Sequence, residues 1–329
     1  MATTSTDSPT RGSAPEQPPT PAKRTARKRP GDVAFSSTAL AAGITILVVL
    51  AAVLVFLLAE SIPAFTGDPA DNPILHGESF AAYVWPLIFG TIWSSILALI
   101  MATPLAIGIA LFISHYAPRR AASVLGYLID LLAAVPSVVF GLWGGIVLAG
   151  MVQPIYVWLN ENLGWIPLFA GQVSATGRTI LTAAIVLAVM ILPIMTAISR
   201  EVFLQTPTLH EEAALALGAT RWEMIKMAVF PFARGGMVSA AMLGLGRALG
   251  ETMAVTMVLS VSGAVTFELL TSTNPTPIPA NIALRFPEAY GDGVSVLIGT
   301  GLVLFVLTFA VNALARWIVS RRAEFSGAN

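Results

Sequence analysis

Two charged side chains stand alone in an apolar stretch. Arg247 and Glu251 lie in Gly244-Leu-Gly-Arg-Ala-Leu-Gly-Glu-Thr-Met-Ala-Val, residues 244–255. A helix over 235–262 would carry Arg247 roughly 18 Å from its start, near the middle of a bilayer. An Arg at that depth costs about 2.5–3.5 kcal/mol on insertion scales, so its presence needs a reason. Spacing of four turns both charges to one face, where they can partly neutralise each other. Gly246 and Gly250 share that spacing and would let the helix approach a neighbour closely. Two readings stand. The pair is a salt bridge that fixes helix packing, or Arg247 is a cation lining an anion pathway, since a planar guanidinium suits a tetrahedral oxyanion.

A second stretch, 206–232, interrupts two long apolar runs with polar residues. Thr206 is placed to cap a helix that starts at Pro207, where a missing N–H costs nothing. Leu209, Ala213, Ala216 and Leu217 recur at helical spacing and make one apolar face. Gly218 supplies a left-handed stop. Thr220 and Glu223 form a capping box for a second helix, which Pro231 should end. Two short helices around a turn could suggest DNA binding. Charge argues against it: Glu211, Glu212 and Glu223 outweigh Arg221 and Lys226, whereas phosphate backbones demand a basic surface.

The elements that must hold these stretches are membrane helices. The 329-residue chain is 56% hydrophobic and only 11% charged, with mean hydropathy +0.78; soluble domains carry about 25% charged residues. Apolar runs of about 20 residues cross a bilayer, and the chain offers six: about 39–59, 87–114, 131–151, 179–199, 235–262 and 294–319. The expected fold class is an all-α integral membrane protein with six transmembrane helices, a transmembrane domain over 31–329 and a coupling loop at 206–232. Residues 119–130 read as a short interfacial helix ahead of the third span. Residues 152–177, with Tyr156, Trp158 and Trp165, read as an outside loop. Residues 1–30 hold six Pro and too little apolar surface to bury a core, so a disordered tail is expected. Its basic cluster, Lys23, Arg24, Arg27, Lys28 and Arg29, suits membrane lipid headgroups. Fifteen of the 18 Lys and Arg fall on one side of this topology, which makes that side cytoplasmic and puts both termini there.

The loop carries a family resemblance. Glu212-Ala213-Ala214, then Gly218, then Ala228-Val229-Phe230-Pro231, resembles the "EAA" loop of ABC-importer permeases; Ala228 and Phe230 stand where that family usually has Ile and Leu. The stretches 246–255 and 130–144 are similar to the phosphate-importer permeases of the Pst system, to the larger of its two permease subunits, over about residues 85–320. The resemblance implies a type I ABC-importer permease, a binding-protein-dependent inner-membrane component. It implies Arg247 and Glu251 as the charged pair of phosphate passage, with Thr252 and Ser137 on the substrate pathway. It implies Glu211, Glu212, Ala213 and Gly218 at the ATPase-coupling surface. The implied partners are a second permease subunit in a heterodimer, two ATP-binding subunits and an extracytoplasmic phosphate-binding protein.

The residue inventory limits what the chain does alone. None of its three lysines, Lys23, Lys28 and Lys226, follows a Gly, so there is no Gly-Lys-Ser/Thr nucleotide loop. His76, His115 and His210 are scattered without metal spacing, and with no Cys there is no thiolate chemistry. No enzyme activity, cofactor or metal is expected. Moving each negative charge into a negative-inside cell costs about 2.3 kcal/mol per 100 mV, so an ATPase partner must supply the energy. Sulfate, molybdate or another oxyanion is the alternative substrate. A phosphate-sensing receptor would be expected to carry a signalling domain, and a proton-coupled carrier more intramembrane carboxylates.

Overall fold

The computed structural model describes residues 30–259 and 261–323. The basic cluster of the tail lies outside them, as do the side chains of Arg321 and Arg322. Twelve α-helices follow in order among the described residues: α1 Pro30–Thr66, α2 Phe80–Leu111, α3 Arg119–Ala133, α4 Ser137–Trp143, α5 Ala149–Leu163, α6 Ile180–Leu204, α7 Thr208–Ala216, α8 Arg221–Met224, α9 Phe230–Leu249, α10 Met253–Val258, α11 Ile278–Arg285 and α12 Asp292–Ala323. Three π turns, Phe112–Tyr116, Gly144–Leu148 and Ile225–Val229, extend or join helices. The only strands among the described residues, β1 Val261–Ser262 and β2 Asn274–Pro275, pair in parallel.

Among the described residues, six helical stretches are long and apolar enough to cross a membrane: Pro30–Thr66, Phe80–Tyr116, Ser137–Leu163, Ile180–Leu204, Arg221–Leu249 and Asp292–Trp317. The expected number is met, but two spans are displaced. The third starts at Ser137 rather than 131. Pro136 biases the preceding residue away from helical geometry, so α3 keeps Leu131–Ala133 and a new helix opens after the proline. That helix continues through Leu163, so Tyr156 belongs to a helix and not to a loop. Its hydroxyl is buried and lies 2.8 Å from Thr182 Oγ1. The fifth span begins at Arg221 rather than 235 and stops at Leu249 rather than 262. Pro231 does not end the second loop helix. It sits in the first turn of α9, where a proline is tolerated, and the π turn Ile225–Val229 feeds straight into it.

The chain divides into two compact units, up to Ala52 and from Val53. The described part of the first is the N-terminal half of α1, whose apolar side chains are exposed. The second unit is built on α6, the most buried of the six spans. Ala98, Ala102, Ala106 and Ala110 of α2 form a fully buried stripe at spacing four, and small residues of this kind let helix backbones approach closely. The first three join Ile180, Leu187 and Ile191 of α6 in the main core cluster. At one end of α6, Asn274 Oδ1 accepts from the Ile180 N–H (3.1 Å) and Asn274 Nδ2 donates to Thr271 O (2.7 Å). Buried polar groups away from water must find such partners.

Candidate functional site

The coupling loop starts one residue later than its sequence suggests. Pro207 is itself the cap residue of α7 and makes no side-chain cap. Thr206 is buried and its Oγ1 has no hydrogen-bond partner among the described residues, so it does not cap the helix. The other local signals hold. Gly218 adopts φ +87° in the turn after α7, a conformation that costs glycine nothing. Thr220 Oγ1 accepts from the Glu223 N–H, and Glu223 Oε2 accepts from the Thr220 N–H at 2.8 Å. The apolar face of α7 is in the open: Leu209 is 74% and Leu217 90% exposed, and Glu212, Ala213 and Ala216 are exposed with them. Glu211 turns inward, its Oε1 3.5 Å from His115 Nε2 at the end of the second span.

The second half of the loop is anchored. Met224, Ile225 and Val229 are buried with Ala110, Leu111 and Phe203, and Ala214 of α7 packs onto the same cluster. Phe230 lies between Phe203, tilted to it at 6.2 Å, and Trp222, edge-on at 6.1 Å between ring centroids. An exposed helix thus rests on a packed base formed by the ends of α2, α6 and α9, an arrangement able to pass a push on α7 into the membrane helices.

The intramembrane pair is rearranged. Arg247 lies in the last turn of α9, which Gly250 closes. Glu251 falls beyond the helix, and its Oε1 accepts the Ala254 N–H at 3.0 Å, capping α10. No Arg247–Glu251 ion pair forms among the described residues. The expected i, i+4 pairing fails because the helix that would carry it ends between the two residues. Arg247 instead lines a cavity of about 750 Å³ between α6, α9 and α12, together with Ser239, Asn312 and Arg316 and several apolar side chains. Its Nε is buried without a hydrogen-bond partner among the described residues.

Thr252 is the cap residue of α10 and donates through Oγ1 to Gly250 O (3.3 Å). Ser137 opens α4 and is half-buried. The helices α4 and α10 pack on each other, but Ser137, Glu251 and Thr252 do not line the cavity that Arg247 lines. Of the four residues the resemblance implies for the pathway, Arg247 is the one that lines this cavity.

Among the described residues of this chain, no neighbouring helix lies within 4 Å of a Cβ added at Gly246 or Gly250. Tight approaches occur elsewhere, among them at Gly141, where an added Cβ would come within 2.8 Å of Ala254 Cα, and at Gly244, where it would come within 2.8 Å of Met195 Sδ. The glycine in Phe140-Gly141-Leu142 was visible in the sequence, but its contact is set by a helix more than 100 residues away. Asn312 and Arg316 were missed altogether; their spacing of four on the last span was the available signal.

A profile of the family described as binding-protein-dependent transport system inner membrane component matches residues 102–324. The chain is 50% identical over 309 residues to the phosphate transport system permease protein PstC 2 of Mycobacterium tuberculosis, covering 90% of this chain and 94% of that one. It is 47% identical over 281 residues to the phosphate transport system permease protein PstC of Mycobacterium leprae, covering 82% and 87%. Among solved structures it is similar to the MetNI methionine ABC transporter in inward-facing conformations, at 17% identity and a TM-score of 0.48, over 72% of this chain and 93% of that one. The chain belongs to the family of binding-protein-dependent transport system inner membrane components.

Proposed function

We propose that the chain is a permease subunit of an ATP-driven importer of inorganic phosphate. The observation that carries this reading is the 50% identity to a phosphate transport permease over nine-tenths of both chains. Arg247 lines a cavity and its Nε has no hydrogen-bond partner among the described residues, which supports a role for it as the pathway cation, because an unpartnered planar donor is free to receive an oxyanion. Glu251, Thr252 and Ser137 then act from the α4–α10 pair beside the pathway, with Glu251 holding the end of α10 in place. The chain would form half of the pathway with a second permease subunit, and an outside phosphate-binding protein would deliver the anion. Alternating access would come from rigid-body rocking of helices around the Arg247 region.

The exposed apolar face of α7 supports docking to an ATPase subunit through Glu212, Ala213 and Gly218, with Glu211 bracing the helix from beneath on His115. Two such subunits would hydrolyse the ATP. The skew of Lys and Arg along the sequence supports both termini, and the tail of residues 1–30, on the cytoplasmic side, with 31–329 as the transmembrane domain. The test is uptake of radiolabelled phosphate at micromolar concentration in cells with and without the gene, with excess sulfate or molybdate as competitor. Uptake that is lost on deletion and resists both competitors is expected. Undiminished uptake in deleted cells that lack any second phosphate system would sink the phosphate assignment.

A further inference from the structure

The cavity lined by Arg247 has a second cation. Arg316 of α12 lines it as well, and Asn312, one turn earlier on the same helix face, lines it beside Arg316. No ion pair or hydrogen bond of the Arg316 side chain is found among the described residues. Among the described residues no Asp or Glu lines the space, so two guanidinium groups face it with no carboxylate of those residues beside them. A charged lining of one sign between low-dielectric walls focuses a field that concentrates counter-ions.

The cavity is also elongated. Ser239 and Arg247 both line it and stand eight residues apart on α9, about 12 Å along a helix. Arg316 lies near the end of the last apolar span, and Arg247 lies in the last turn of the fifth. A purely topological Arg at the end of α12 would serve equally well facing lipid headgroups, yet this one lines the same space as Arg247.

We propose that Arg316 and Asn312 form a second subsite for a tetrahedral oxyanion, on the route that leads to or from Arg247. This rests on the reading of the chain as an oxyanion permease. Arg316 supplies the charge and the planar donors, and the Asn312 amide supplies neutral donors one turn away. An anion leaving Arg247 would then pass to a second cation within the same cavity. Two sites of moderate strength allow entry and release where one strong site would trap the ion.

The test uses a natural advantage: the chain has no cysteine. Ser239→Cys places one thiol in the cavity wall of the complete transporter, reconstituted with its partner subunits in lipid vesicles. Modification of this chain by anionic and cationic methanethiosulfonate reagents is followed by mass spectrometry, each rate normalised to that of a free thiol. The anionic reagent is expected to be favoured about tenfold, as in a cleft of one charge sign, and inorganic phosphate should slow it. Adding Arg316→Gln should remove most of that preference, whereas Arg316→Lys should keep it. If Arg316→Gln does not assemble, Asn312→Asp tests the same point by placing an opposing charge one turn from Arg316, and should have the same effect.

A thiol that reacts with neither reagent would mean that lipid fills the space, and would overturn the proposal. A preference unchanged by both Arg316→Gln and Asn312→Asp would also overturn it. The role of Arg247 is judged separately, by uptake in Arg247→Ala. Normal uptake there would remove Arg247 from the pathway without touching a labelling preference that depends on Arg316.

Discussion

The coupling loop and the end of the fifth span have the same outline: a helix, a glycine, and a second helix whose opening is tied by a glutamate side chain. In the loop, Gly218 takes φ +87° and the Thr220–Glu223 box starts the next helix. In the membrane segment, Gly250 keeps φ −94° and Glu251 Oε1 caps α10 through the Ala254 N–H. The loop ends its helix by local chemistry alone, in a place where nothing lies within 4 Å of a Cβ added at Gly218. The membrane break is held by packing of α10 against α4 at Gly141. A break exposed to water must satisfy itself through neighbours in sequence. One inside the bilayer is tolerated only where protein surrounds it.

The largest effect should come from Arg247→Ala. Losing one charge-assisted contact to a desolvated anion is worth about 1.5–3 kcal/mol, roughly ten- to 150-fold in uptake rate, with assembly intact. Comparable uptake by the variant would place Arg247 among the structural cations. Next comes Gly218→Val. A left-handed conformation at a β-branched residue costs about 1–3 kcal/mol, so α7 should lose its orientation. Both uptake and substrate-stimulated ATP hydrolysis should fall several-fold, while Gly218→Asn should be milder; unchanged ATPase stimulation in Gly218→Val would count against docking through this loop.

Glu251 separates charge from capping. Glu251→Gln keeps an oxygen to accept from Ala254 N–H and should transport within about threefold of the parent, whereas Glu251→Ala loses a cap worth about 0.5–2 kcal/mol and should fall further. Equal losses in the two variants would show that the negative charge matters, not the hydrogen bond. The smallest effect is Thr220→Ala, which removes half of the capping box and should cost about 1 kcal/mol of local helix stability. Hydrogen exchange at the α8 amides should rise while uptake changes little; unaltered exchange would deny the box its role.

This contrast also explains what could be read in the sequence. The six apolar runs, Gly218 and the Thr220–Glu223 box are signals of composition or of residues three or four apart, and they survive folding. Apart from Arg247, Glu251 and a few hydroxyl residues the stretch 235–262 is apolar, so periodicity carried a helix straight through Gly250 and paired Arg247 with Glu251. The features that stop the helix there, α4 against α10 and Gly141 against Ala254, join residues more than 100 apart, and no local pattern encodes them. Pro231 misled for the opposite reason: a proline in a first helical turn looks like a stop in sequence, and a π turn carries the helix into it. The cavity of Arg247, Asn312 and Arg316 likewise depends on which faces of α9 and α12 meet.

On the proposed reading Arg247 would act on the transported anion and α7 on the ATPase, two tasks in separate parts of one chain. The most direct measurement is the number of phosphate ions moved per ATP hydrolysed by the complete transporter in vesicles with its binding protein, compared between the parent and Arg247→Ala. The expected result is continued ATP hydrolysis with the ratio falling at least tenfold, in line with the loss of a charge-assisted contact. A ratio equal to that of the parent, at a normal rate of uptake, would contradict it.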